Sequence, residues 1–104
     1  MPKIKLCSIS EIQEGQVISK ITPYGPIGIT KIKDKIHVFQ DECTHDGAPF
    51  DNAKIDFSTK EIICPRHGGR FNLETGSATK LPATEALEVY EIEIQGDDVY
   101  INID

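Results

Sequence analysis

A chain of 104 residues, 38% of them hydrophobic, has room for one domain with a modest core, a size class that gains from a metal staple. Against 17 Asp and Glu there are 11 Lys and Arg, which leaves a net charge of −6 and a pI near 5.0. That balance excludes the basic face a nucleic-acid binder needs and suits a basic protein partner. No stretch approaches the ~20 apolar residues of a membrane helix, and residues 1–5 lead straight into strand-like alternation, not a secretory apolar run. A soluble cytoplasmic protein is expected, without membrane contact. Three cysteines, an odd number, fit a reducing compartment.

Residues 3–9 alternate, with Ile4, Leu6 and Ser8 on one side and Lys3, Lys5 and Cys7 on the other, and predict a first strand. Cys7 reads there as a small core or half-exposed residue. Ser10 can cap a short helical turn that Gly15 ends. Residues 16–22 are rich in β-branched side chains and predict a second strand. Pro23, Tyr24, Gly25 and Pro26 form a turn. Ile27, Ile29 and Ile32 lie in a third strand, and Asp34 and Lys35 connect it tightly to a hairpin partner over 36–40. His37 in that partner reads as a solvated or partly packed side chain opposite Ile36 and Val38.

Residues 51–57 have weak strand character, Ser58, Thr59 and Lys60 turn, and Glu61, Ile62 and Ile63 predict a short strand. Arg70, Phe71 and Asn72 continue the chain to a turn over 73–76, and Pro82 breaks it again. Residues 87–95 predict the clearest strand, with Tyr90, Ile92 and Ile94 on one face and Glu91 and Glu93 on the other. Gly96, Asp97 and Asp98 turn it into a last strand carrying Val99, Ile101 and Ile103. Phe50 and Phe57 read as core, and Glu88, Glu91 and Glu93 as a solvated face that could also meet a basic reductase. No 3.6-residue period is sustained, and short strands with frequent turns predict an all-β sandwich or barrel.

Two stretches break this pattern: Cys43-Thr44-His45-Asp46-Gly47-Ala48-Pro49 and Cys64-Pro65-Arg66-His67-Gly68-Gly69. Each offers a thiol and an imidazole at close spacing, followed by glycine, and 18 residues separate His45 from Cys64. Pro65 stiffens the second bend, and the glycines let backbone N–H groups approach a charge held between the loops. Four centres fit a Cys/His pair on each loop. Structural zinc has the right ligand count, but its usual spacing pairs Cys with Cys and His with His. A Cys43–Cys64 disulfide leaves both histidines without a role. A chance arrangement is the third reading, and a two-iron cluster with two histidines in place of two cysteines is the fourth.

The two stretches, with Arg70 and Phe71 after the second, resemble the ligand boxes of Rieske proteins. They are similar above all to the small Rieske-type ferredoxins of aromatic-ring dioxygenase systems. Residues 72–76, Pro82 and 96–100 are similar to the downstream sequence of that family, so the resemblance runs from Val38 to Asp104. It implies the Rieske fold, stacked antiparallel sheets in a single domain over 1–104 with a cluster-binding subdomain at about 41–72. It implies one [2Fe-2S] cluster, with Cys43 and Cys64 on the inner iron through sulfur and His45 and His67 on the outer iron through ring nitrogen.

The respiratory branch of the family carries an extra cysteine in each box and a serine and a tyrosine that donate to sulfur. Here the matching positions hold Ala48, Arg66, Gly69 and Phe71. Donors to sulfur stabilise the reduced centre, so their absence implies the low end of the Rieske range, on the order of −150 to 0 mV. Arg66 and Arg70 flank His67 as surface charge, or as charges that tune the centre or meet an acidic partner. Outside the boxes only His37 remains, too few histidines for the mononuclear iron of a terminal oxygenase. The resemblance therefore implies an electron-transfer protein, not an enzyme, that passes electrons from a flavin reductase to an oxygenase. A nitrite reductase small subunit and a zinc-stabilised interaction module are the alternatives.

Overall fold

The structure, a computed structural model, describes residues 3–42, 50, 53–65, 68–81 and 83–102. Among them the chain forms three antiparallel sheets and one short 3-10 turn, so the all-β expectation holds. The first sheet has the order β1–β11–β10, from β1 (Lys3–Ser8), β10 (Ile92–Gln95) and β11 (Asp98–Asn102). The middle sheet has the order β2–β3–β4–β9, from β2 (Ile18–Thr22), β3 (Gly25–Ile32), β4 (Lys35–Gln40) and β9 (Val89–Tyr90). The third has the order β5–β6–β7–β8, from β5 (Lys54–Asp56), β6 (Glu61–Ile63), β7 (Arg70–Asn72) and β8 (Ala78–Lys80).

Within the middle sheet β3 and β4 are buried on both faces, because period-2 alternation sends their successive residues into different cores. Ile27, Ile29, Ile36 and Val38 pack with Leu6, Cys7, Val99 and Ile101 of the first sheet. Ile32 and Phe39 pack with Phe50, Ile62, Phe71 and Leu73 on the side of the third. Gly28 stands opposite Phe39 in register, and a Cβ there would overlap the Phe39 ring. The β3–β4 hairpin turns on Lys33 and Asp34, with φ of 48° and 68°, left-handed values that match the twist of the flanking strands. The tight connection thus falls one residue earlier than predicted.

Five local expectations are corrected. A bulge between Lys5 and Cys7 breaks the alternation of β1, so Leu6 and Cys7 both turn inward. The 3-10 turn Ile9–Glu11 is capped by Ser8, not Ser10, and the Glu11 carboxylate accepts the Ser8 N–H at 2.7 Å. The strand expected over 87–95 is two strands: Tyr90 pairs with Val38 in the middle sheet, and Ile92 pairs with Ile101 in the first. Ile94, near the tip of the β10–β11 hairpin, is exposed. Phe50 is fully buried, but Phe57 is half-exposed and its ring lies over Gly15. His37 is only 6% exposed, because a strand covered on both faces has no wet side. Ile103 lies outside the described residues.

Gly76 is fixed by both space and backbone. Its φ is +84°, the Leu87 N–H donates to its carbonyl at 2.6 Å, and a Cβ would overlap the Leu87 carbonyl oxygen. Left-handed strain and backbone overlap together make Gly76→Ala cost about 3 kcal/mol or more. Urea unfolding checks this, and a loss below about 1 kcal/mol would contradict it.

Burial pushes the His37 imidazole below its ordinary pKa; Lys35 and Lys60 add to the effect, and the Leu73 backbone and Glu74 oppose it. With the folded value depressed, the unfolded chain binds more protons as the pH drops below about 6.5, so stability falls in that window. Between pH 7.5 and 5.5 the wild-type urea midpoint should therefore decline more steeply than that of His37→Asn. Parallel profiles would show that His37 does not titrate on unfolding.

Candidate metal centre

Of the four ligands implied by the resemblance, Cys64 lies among the described residues. Cys43, His45 and His67 lie outside them, as do Ala48 and Arg66. Cys64 follows β6 directly. It is a free thiol, 2% exposed, in the core that contains Phe50, Ile62, Phe71, Leu73 and Ala83.

Backbone bonds fix the thiol's position. β6 and β7 form a hairpin in which Ile63 pairs with Arg70. Inside that pair the Cys64 N–H donates to the Gly69 carbonyl at 2.7 Å, and the Gly68 N–H donates to the Cys64 carbonyl at 3.1 Å. Gly68 takes a φ of +75°, a value a side chain resists. Gly69 is tight for a different reason: a Cβ would stand 3.1 Å from the Ala83 Cβ and 3.2 Å from its backbone nitrogen. The segment after β8 therefore presses on the second ligand loop.

The first ligand stretch is anchored by a residue the sequence reading missed. Asp41 is 3% exposed, and its Oδ1 accepts the Phe50 N–H at 2.8 Å while its own N–H donates to the Pro26 carbonyl at 3.1 Å. The carboxylate ties together the two ends of the 42–49 segment. An acidic residue at the end of a strand reads as solvated, so only its place just before Cys43 could have marked it. Phe50 then packs edge-on against Phe71, with centroids 5.8 Å apart, and against Phe39 at 5.7 Å.

Arg70 is committed within the chain. Its Nη1 lies 2.9 Å from Asp56 Oδ2 and 3.3 Å from Glu61 Oε1, a cross-strand network over β5, β6 and β7. These carboxylates raise the Arg70 pKa further. The Ser58 hydroxyl first and Arg70 second hold Asp56 down at about 2. Glu61 sits below its ordinary value through the Thr79 hydroxyl, then Arg70 and Thr59. Glu93 pairs with Lys3, so the acidic strand face expected over 88–93 is partly neutralised.

The Rieske [2Fe-2S] domain family matches residues 3–91, including the first third of the chain, where the sequence showed only strand character. Ferredoxin CarAc of Metapseudomonas resinovorans is 33% identical over 100 residues, covering 94% of this chain and 91% of the relative. The 3-phenylpropionate/cinnamic acid dioxygenase ferredoxin subunit of Escherichia coli (strain K12) is 30% identical over 103 residues, 99% of this chain and 95% of that one. A chain of the solved complex of reduced oxygenase and oxidized ferredoxin in carbazole 1,9a-dioxygenase superposes with a TM-score of 0.86. That match has 31% identity over 95% of this chain and 91% of its counterpart. The chain belongs to the Rieske [2Fe-2S] family. It is an electron-transfer protein of the small ferredoxin type, and its cofactor is a Rieske [2Fe-2S] cluster. Among the described residues no helix is long and apolar enough to cross a membrane.

The two causes acting on Asp56 can be separated by carboxyl NMR titration. Ser58→Ala should raise the Asp56 pKa from about 2 further than Arg70→Gln does, and either change should leave it below the ordinary 3.8. An unmoved Asp56 in Arg70→Gln would break the proposed network.

Proposed function

We propose that Cys43 and Cys64 hold one iron of the cluster through sulfur and that His45 and His67 hold the other through ring nitrogen. The observation that carries this reading is the buried Cys64 thiol, set by the Gly69 carbonyl at the closed end of the β6–β7 hairpin. The donor set suits the group. Two thiolates and two neutral imidazoles match mixed Cys/His ligation, and a buried thiol is positioned to bind metal and not solvent. The third sheet, with the two ligand stretches, forms the cluster-binding subdomain, and β8 extends it beyond residue 72.

When bound, the cluster accepts and releases one electron. The chain's own residues decide how. The Cys64–Gly69 and Asp41–Phe50 bonds hold the roots of the two loops, so little reorganisation accompanies the change of charge. Phe50, Phe71 and Leu73 exclude water from the thiol side. Gly69 and Phe71 bring no hydroxyl to the centre, which keeps the potential low.

The chain takes single electrons from a flavin-dependent reductase and delivers them to a terminal oxygenase in the cytoplasm. Support for the oxygenase comes from the carbazole 1,9a-dioxygenase complex, whose ferredoxin-sized chain is 31% identical. The net charge of −6 favours basic partner surfaces.

Iron and acid-labile sulfide analysis with a potentiometric titration tests the proposal. About two iron and two sulfide per chain are expected, with a midpoint on the order of −150 to 0 mV, and Cys64→Ser should lose the visible chromophore. A midpoint near +200 mV would overturn the low-potential reading, and a chromophore retained in Cys64→Ser would overturn the ligand assignment.

A further inference from the structure

We propose that the outer face of the third sheet, at the end that delivers Cys64, is the docking surface for an electron partner whose contact surface is acidic. The proposal deepens the carrier role and rests on the ligand assignment given for Cys64, which puts the electron at this end of the sheet.

Alternation turns Ile55, Ile62 and Phe71 toward the core, so Lys54, Ile63 and Arg70 face outward. Register aligns them in a row. Lys54 pairs with Ile63, Ile63 with Arg70, and Arg70 with Lys80, one residue from each of the four strands. At the usual strand spacing the row is about 14 Å long. Each of the four residues is the last or first of its strand, all at the same end of the sheet. In the chain, Cys64 follows Ile63, Gly69 precedes Arg70 and Leu81 follows Lys80. The row thus borders the hairpin end that carries the thiol.

The charge of this row runs against that of the chain, which is −6. Lys3, Lys5, Lys20, Lys31, Lys35 and Lys60 each lie against a carboxylate. Among the described residues Lys33, Lys54 and Lys80 do not, and two of these three stand in the row. Arg70 reaches back to Asp56 and Glu61, which pair with each other in the next row from the ligand end. The face therefore has its cations at the ligand end and its carboxylates behind them. Apolar surface lies among the cations: Ile63 is half-buried between Lys54 and Arg70, and Leu81 is 73% exposed beside Lys80. Apolar side chains ringed by charge suit a contact face. Lys54 and Lys80 break no internal ion pair when they meet a partner's carboxylates, and Leu81 gains by being covered. At physiological salt the screening length is about 8 Å, so the local row outweighs the distant acidic groups at contact.

Hexacyanochromate(III), a paramagnetic trianion, is the first probe, used on the holoprotein at low ionic strength. It should broaden the amide signals of Lys54, Lys80 and Leu81 more than those around Lys33, although the net charge alone predicts repulsion. Lys54→Glu with Lys80→Glu should erase that pattern. Lys20→Glu with Lys33→Glu, which carries the same net charge off the third sheet, should keep it. Flavodoxin hydroquinone, an acidic flavoprotein donor, is the protein probe. One electron passes from its flavin to the oxidised holoprotein and no atom is transferred. The rate should fall about tenfold more in the Lys54/Lys80 variant than in the Lys20/Lys33 variant, and also fall in Leu81→Ser. Reduction by the neutral deazariboflavin radical should be the same in all of them. Broadening spread evenly over the lysines, or flavodoxin rates that follow net charge alone, would overturn the proposal. A localised chromium pattern with equal flavodoxin rates in the two double variants would retain an anion-attracting row and overturn its use as a docking surface. The chromium pattern needs no electron transfer, so failure of the ligand assignment shows separately, in the iron and sulfide content of the wild type.

Discussion

The backbone bond between the Cys64 N–H and the Gly69 carbonyl is the constraint around which the rest of the molecule is arranged. It closes the second ligand loop at its root and leaves the thiol inside the core, where water does not compete for it. The demand on sequence is narrow. Gly68 must accept a left-handed backbone, and Gly69 must leave room for Ala83. Asp41 does the matching task for the first stretch with a side chain, joining residue 41 to residue 50 through the Phe50 N–H. One loop is closed by main chain and the other by a buried carboxylate.

The middle sheet explains how so small a chain supports such a centre. By alternating, β3 and β4 serve two cores at once, one with the first sheet and one with the third. The arrangement requires the middle strands to be apolar or fully packed on both sides. Gly28 makes room for Phe39, and Phe39, Phe50 and Phe71 then continue edge to face toward the ligand hairpin. The only polar side chains buried within these strands are Thr30 and His37, and they face each other.

The Rieske family was legible in the sequence because cysteine and histidine are rare in this chain and the spacing of their pairs is specific. Most strands were legible for a weaker reason, their alternation. Alternation tells which side of a strand is apolar but not which sheet the strand joins. The run over 87–95 therefore gave no sign that the chain changes sheets at Glu91. It also presumes an unbroken register and one wet face, so the β1 bulge at Cys7 and the burial of His37 were both missed. β8 has only Ala78, Thr79 and Lys80 and carries too little pattern to predict. Asp41 was passed over and the pairing of Arg70 was not foreseen, because a charged residue reads as solvated unless its partner is known, and their partners lie 9 to 14 residues away.

Electrostatics and packing divide the work of the third sheet. Asp56, Glu61 and Arg70 brace its outer face in water, where they contribute order more than energy, and the aromatic residues supply the energy inside. Both would serve the mixed-ligand centre proposed for Cys43, Cys64, His45 and His67. The electron paramagnetic resonance spectrum of the dithionite-reduced protein tests that claim most directly. A rhombic signal whose average g-value lies below that of an all-thiolate cluster is the expected result. A spectrum typical of four thiolate ligands, or a silent sample with one zinc per chain, would contradict it.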